Sequence, residues 1–169
     1  QNDFLFGYEN LIALSKQANF PFLAANIIDS SGNNIFDPYT ILNIKNVNIG
    51  VIGIAGDVIN ESVLKQNIDG IKILSSVETM QNWVSQLKQM DVDIIVVLTS
   101  AGVPWDRDKV YNEFIANDKN KEDILNAIQL GYYAEDVDFI ISGGISKGYR
   151  SPWYDKNSHT YIFQNYGNG

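Results

Sequence analysis

Apolar positions in this chain fall into short strand-like runs separated by helical stripes. Leu11, Ile12, Leu14 and Ala18 recur at helical spacing behind Gly7, which predicts a helix over residues 8–18 opened by a glycine breaker. Residues 20–28 are mostly apolar and read as a strand, stopped by the turn Asp29-Ser30-Ser31-Gly32-Asn33. Residues 39–45 alternate, with Leu42 and Ile44 opposite Tyr39, Ile41, Asn43 and Lys45, as a half-exposed strand does. Asn46 supplies a turn, and the apolar run at 47–54 completes a hairpin.

A long irregular connection over 55–70 precedes a short strand at 71–74. Ser76 is the expected N-cap of a helix over 77–90, with Glu78 in its positive first turn and Val77, Met80, Val84 and Leu87 on its inner face. The unbroken run 94–98 predicts a strand buried on both faces, and 137–141 a second one. Val110, Phe114 and Ile115 mark one helix; Ile124, Ala127 and Ile128 mark another. Residues 149–154 and 160–164 read as hairpin arms around Asp155-Lys156-Asn157-Ser158. Strands alternating with helices predict an α/β fold with a mixed sheet and a site at the carboxyl ends of its strands. Those ends are Thr99-Ser100-Ala101-Gly102 and Ser142-Gly143-Gly144-Ile145-Ser146.

A length of 169 residues fits one domain, and 45% hydrophobic against 19% charged residues gives ample material for a core. Twelve basic against 20 acidic residues leave a net charge of −8, which argues against binding nucleic-acid polymers or anionic lipid. No apolar run is long enough for a membrane-spanning helix. Cysteine is absent, which removes disulfides, thiolate catalysis and Cys-ligated metals, and the sole histidine is His159. The chain opens at Gln1 without a leader-like segment and closes on a turn-like tail, so residues 1–169 read as a single domain cut from a longer one.

Isolated motifs carry little chemistry. Gly50, Gly53 and Gly56 are too widely spaced for a dinucleotide fingerprint and read as structural glycines at a strand end. A Ser-His-Asp triad would have to recruit His159 from a predicted hairpin, where a buried or surface strand histidine is the simpler reading. The carboxylates of Glu135, Asp136, Asp138, Asp106 and Asp108 read as solvated loop charge. Lys147 and Arg150 could hold an anion beside the strand ends. Trp105, Trp153 and Tyr154 could stack on a base or ring, with packing against the core as the competing reading.

Five segments in order carry a family resemblance: residues 4–11 (Phe4-x-Phe6-Gly7-Tyr8-Glu9-Asn10-Leu11), 20–27, 49–53, 92–99 and 137–143. Together with Gly148-Tyr149-Arg150-Ser151-Pro152-Trp153 and the run from Phe163 to Gly169, they resemble the calcineurin-like metallophosphoesterases. The likeness is narrower still to the bacterial 5′-nucleotidase and UDP-sugar hydrolase group. The resemblance implies the second part of a four-layer α/β/β/α sandwich, in which two mixed sheets lie between helices. It implies a periplasmic, cell-surface or secreted location, with an unknown protein or the remainder of the same polypeptide as partner.

The family uses two divalent cations, held by Asp, Asn and His, to bridge phosphate and generate a hydroxide nucleophile. Set on this sequence, its Gly-Asn-His-Glu/Asp signature ends at Asp3, with Gln1 at the metal-binding Asn position and Asn2 at the catalytic His position. Its Leu-Ser/Thr-His-x-Gly signature falls on Leu98 to Gly102, with Ser100 at a metal His. Its Gly-Gly-His-Ser/Thr-His signature falls on residues 142–146, with Gly144 and Ser146 at two metal His positions. Glycine offers no ligand and a neutral hydroxyl is a poor substitute for imidazole, so no bound metal cofactor and no catalytic residue is expected. The resemblance then implies a degenerate domain kept for binding, structure or assembly. The alternative is an active nucleotidase drawing ligands from outside these residues. A nucleotide or sugar held by Lys147, Arg150, Trp105 and Trp153 without turnover stays open.

Overall fold

A computed structural model describes residues 4–57, 59, 63–117, 119, 124–144 and 148–164. Helix α1 (Tyr8–Ser15) follows Gly7, whose φ of +84° turns the chain into it, and ends at a cap on Lys16 rather than running to residue 18. Strand β1 is only Ile27–Asp29. The longer strand expected over 20–28 does not form, because this segment is held by single contacts instead of a ladder. A lone bridge joins Leu23 to Asp37, and the Ala25 N–H donates to the Gly53 carbonyl at 2.7 Å.

Strands β2 (Tyr39–Ile44) and β3 (Val47–Ile54) form the expected hairpin. Its two-residue turn places Lys45 and Asn46 at φ +53° and +67°, the primed geometry whose twist suits a hairpin. The 55–70 connection holds a 3₁₀ turn at Lys65–Asn67, then β4 (Ile71–Ile73) pairs antiparallel with β1. Helix α2 (Ser76–Lys88) buries the predicted stripe. Its cap is Ser75, whose hydroxyl accepts from the Glu78 N–H at 3.3 Å; Ser76, the expected cap, turns inward and donates to the Asp57 carboxylate at 2.5 Å.

Strand β5 (Ile94–Thr99) leads through a loop to α3 (Arg107–Ala116), capped by Asp106, and α4 (Ala127–Tyr132). Helix α4 begins at a capping box between Asn126 and Gln129, which leaves Ile124 outside it and exposed. Strand β6 (Phe139–Ser142) is followed by β7 (Trp153–Tyr154) and β8 (Tyr161–Gln164), a shorter hairpin than 149–164 predicts. Among the described residues no helix is long and apolar enough to cross a membrane.

The main sheet has strand order β2-β3-β5-β6-β8-β7, parallel from β3 to β8 and antiparallel at both edges. The fold is mixed α/β with a mixed sheet. One face is packed by helices: Ile52, Ile95, Val97, Ile140 and Ile162 meet Met80 and Leu87 of α2, Phe114 of α3 and Ile128 of α4. The opposite face is covered near β3, where the segment around Leu23 lies on Gly53, and is bare over β5, β6 and β8. Leu98, Ile141, Tyr161 and Phe163 are 38–47% exposed there. The runs 94–98 and 137–141 are therefore buried on one face only, and apolar residues line both.

The hairpin loop closes over a buried carboxylate. Asp155 is fully buried and accepts from the Tyr111 hydroxyl at 2.5 Å and from the Asn157 and Ser158 N–H groups at 2.8 and 3.0 Å. His159 sits in that loop, not in a strand, with φ +63° and its Nδ1 2.8 Å from the Tyr154 hydroxyl. Burial, and then the bond to Asp155, push the Tyr111 pKa well above the usual phenol value. A proton held more tightly in the folded state gives its full stabilisation below the unfolded pKa of about 10, and that stabilisation drains away as pH rises from there through the higher folded pKa. The chain is expected to lose stability from about pH 9.5 upward, read as a falling urea midpoint. Tyr111→Phe should flatten that slope relative to the parent, and identical slopes would count against the assignment.

Candidate functional site at the strand ends

Parallel register sets Ile54, Thr99, Ser142 and Gln164 side by side as the last residues of four adjacent strands. The loops leaving three of them, at Ala55-Gly56, Ser100-Ala101 and Gly143-Gly144, meet just beyond the sheet. Sequence reasoning placed the site here, and the structure brings Ser100 and Gly144 together. Gln1, Asn2, Asp3, Ser146 and Lys147 lie outside the described residues.

These loops touch through backbone. The Gly143 N–H donates to the Thr99 carbonyl at 2.7 Å, and the Gly56 N–H donates to the Ser100 hydroxyl at 3.0 Å. A Cβ on Gly56 would stand 3.0 Å from the Ala101 Cα. Gly144 has φ +97°, and a Cβ there would meet the Ser100 carbonyl oxygen at 2.5 Å. The glycines at 50, 53 and 56 are structural, as the sequence suggests: a Cβ on Gly50 would meet Leu87 at 2.8 Å and one on Gly53 the Leu23 carbonyl oxygen at 2.2 Å.

Asn26, which the sequence reading passed over inside an apolar run, holds the first loop. Fully buried, its side chain donates to the Ala55 carbonyl at 2.9 Å and accepts from the Ala55 N–H at 2.8 Å. A polar amide among Ala24, Ala25 and Ile27 was the available signal, since a buried amide needs partners. Beside the loops lies a cavity of about 380 Å³, walled by Leu98, Thr99, Ser100, Ile141 and Gly143 on the sheet side and by residues such as Phe36 opposite. No charged side chain is among its described lining residues.

Of the other candidates, Trp105 is 75% exposed, whereas Trp153 is half-buried with its ring against Tyr111 at 5.1 Å between centroids. Arg150 is exposed. Arg107, which the sequence reading did not single out, lies over the Tyr149 ring at 4.3 Å and donates to the Ser151 carbonyl at 3.1 Å, pinning the arm that carries Trp153. Three of the loop carboxylates have partners instead of standing free in solvent: Asp106 caps α3, Asp136 pairs with Lys88, and Asp138 accepts from the Ile95 N–H.

No family model matches the chain. It is 31% identical over 96 residues to the 5′-nucleotidase of Vibrio cholerae, covering 56% of this chain and 17% of that protein. It is 25% identical over 146 residues to the NAD 5′-nucleotidase of Haemophilus influenzae, covering 84% of this chain and 20% of that one. The solved calcineurin-like phosphoesterase YfkN from Bacillus subtilis matches 98% of this chain with a TM-score of 0.71 and 22% identity. The chain fits the 5′-nucleotidase and calcineurin-like phosphoesterase superfamily. It spans about a fifth of the length of those two curated relatives and 52% of the YfkN chain.

The two-cation centre of the metallophosphoesterases that this chain resembles would fall at these loops. The described residues offer it a serine hydroxyl already bonded to Gly56, a glycine, and backbone. Among the described residues no group of three or more His, Asp or Glu side chains is placed to hold a metal ion. This donor set does not suit a pair of divalent cations, which take imidazole and carboxylate ligands.

Proposed function

We propose that this chain is a 5′-nucleotidase-like phosphoesterase domain without its own working metal centre, retained as a binding, structural or assembly module. The observation that carries this reading is the donor set at the strand ends, where position 144 presents no side chain and the Ser100 hydroxyl serves the fold. Hydrolysis of a phosphate monoester in this superfamily draws its hydroxide and its charge neutralisation from the cations. With neither histidine nor a basic group among the described residues lining the adjacent cavity, a phosphate dianion would meet mostly apolar walls in a chain of net charge −8.

The bare sheet face supports the assembly role. Contiguous exposed apolar surface marks an interaction site, and its partner here is the remainder of the same polypeptide or another protein. Export to the periplasm or cell surface goes with the resemblance and belongs to the same reading.

A second reading is favoured by the identity to the Vibrio cholerae 5′-nucleotidase: an active nucleotide phosphoesterase whose ligands lie elsewhere in the polypeptide. Purification of the full-length protein after growth with added manganese and zinc separates the two. The proposed function expects far less than one transition-metal ion per chain and no turnover of 5′-AMP or nitrophenyl phosphate. Two tightly held ions with steady turnover would establish the second reading instead.

A further inference from the structure

We infer that the strand-end loops bar an imidazole from position 144 by their backbone, so that the metal site cannot be rebuilt by exchanging side chains. Gly144 combines two constraints that act separately. Its φ of +97° is a conformation L side chains rarely adopt. Its missing Cβ would also lie 2.5 Å from the Ser100 carbonyl oxygen, a backbone atom that no rotamer change moves aside.

Nor is Ser100 free to retreat. Its hydroxyl accepts from the Gly56 N–H at 3.0 Å, its neighbour Thr99 accepts from Gly143 at 2.7 Å, and Ala101 already stands where a Cβ on Gly56 would touch it. Shifting the Ser100 carbonyl therefore disturbs all three loops. A nearby position behaves differently: among the described residues, a Cβ on Gly143 would meet only the Thr99 carbonyl oxygen, at an ordinary 3.8 Å. The barrier is specific to Gly144.

The inference deepens the reading of a domain without a metal centre and rests on it for its functional meaning, but its test is separable. In the full-length protein, Gly143→Ala should keep its thermal midpoint within about 2 °C of the parent. Gly144→Ala should fall by about 5 °C or more. The double variant Ser100→His with Gly144→His, titrated with Co²⁺, should develop no stoichiometric ligand-field absorption. A Gly144→Ala midpoint equal to the parent's, or an equal fall in Gly143→Ala, would overturn the inference. So would a stable double variant that binds Co²⁺ when the parent does not. Co²⁺ bound stoichiometrically by the parent would overturn the proposed function and leave the contrast between the two glycines standing.

Discussion

Gly53→Ala is expected to destabilise the chain by about 3 kcal/mol or more. The added methyl would be built 2.2 Å from the Leu23 carbonyl oxygen and 2.5 Å from the Leu23 Cβ. Neither side can yield cheaply. Gly53 lies in β3 between β2 and β5, and its N–H and carbonyl also bond Pro38 and Ala25 across the same contact. Overpacking in an interior usually costs about 1–3 kcal/mol because flexible side chains absorb part of it; a backbone–backbone approach offers no such relief. The segment that carries Asn26 should be displaced, loosening the Ala55 loop with it. Thermal or urea unfolding measures the loss, and a midpoint within about 2 °C of the parent would show that the Leu23 carbonyl retreats freely.

Asp155→Ala is the second large effect, expected at about 3–5 kcal/mol. The carboxylate is fully buried and gathers the Tyr111 hydroxyl, two backbone N–H groups and the Ser158 hydroxyl at 3.4 Å. Removing it leaves those donors facing an apolar methyl, and a stranded buried donor costs its desolvation penalty. Tyr111→Phe deletes only one of the donors and should cost less. Chemical denaturation of both variants tests the ranking; a reversed order would mean that the Asx loop stands without its acceptor and that Tyr111 carries the hairpin.

Periodicity located most of the fold because most of it is governed by local rules. The β2–β3 hairpin, the inner stripe of α2 and the strands at 94–99 and 139–142 follow from alternation, 3.6-residue spacing and β-branched runs. What failed was governed by partners far along the chain. Residues 20–26 have strand-like composition, yet Asn26 prefers Ala55 and the backbone of Ala25 prefers Gly53. Ser76 has the composition of a cap but finds Asp57. At the site, the motif alignment with the phosphoesterases brought Ser100 and Gly144 forward, and the structure places them in contact. That Gly144 is a steric necessity could not be read from the sequence, because it depends on where the Ser100 carbonyl lies.

The uncovered side of the main sheet has a consequence for handling the chain by itself in solution. Four large side chains there, Leu98, Ile141, Tyr161 and Phe163, stand in water beside one another, and the aromatic rings of Phe139 and Phe163 pack at 6.1 Å instead of under another layer. Colloidal behaviour then becomes a contest between that water-exposed hydrocarbon and the mutual repulsion of chains that each carry a net charge of −8. Sulfate strengthens apolar association and screens the repulsion at once, so salting out begins on this side of the molecule.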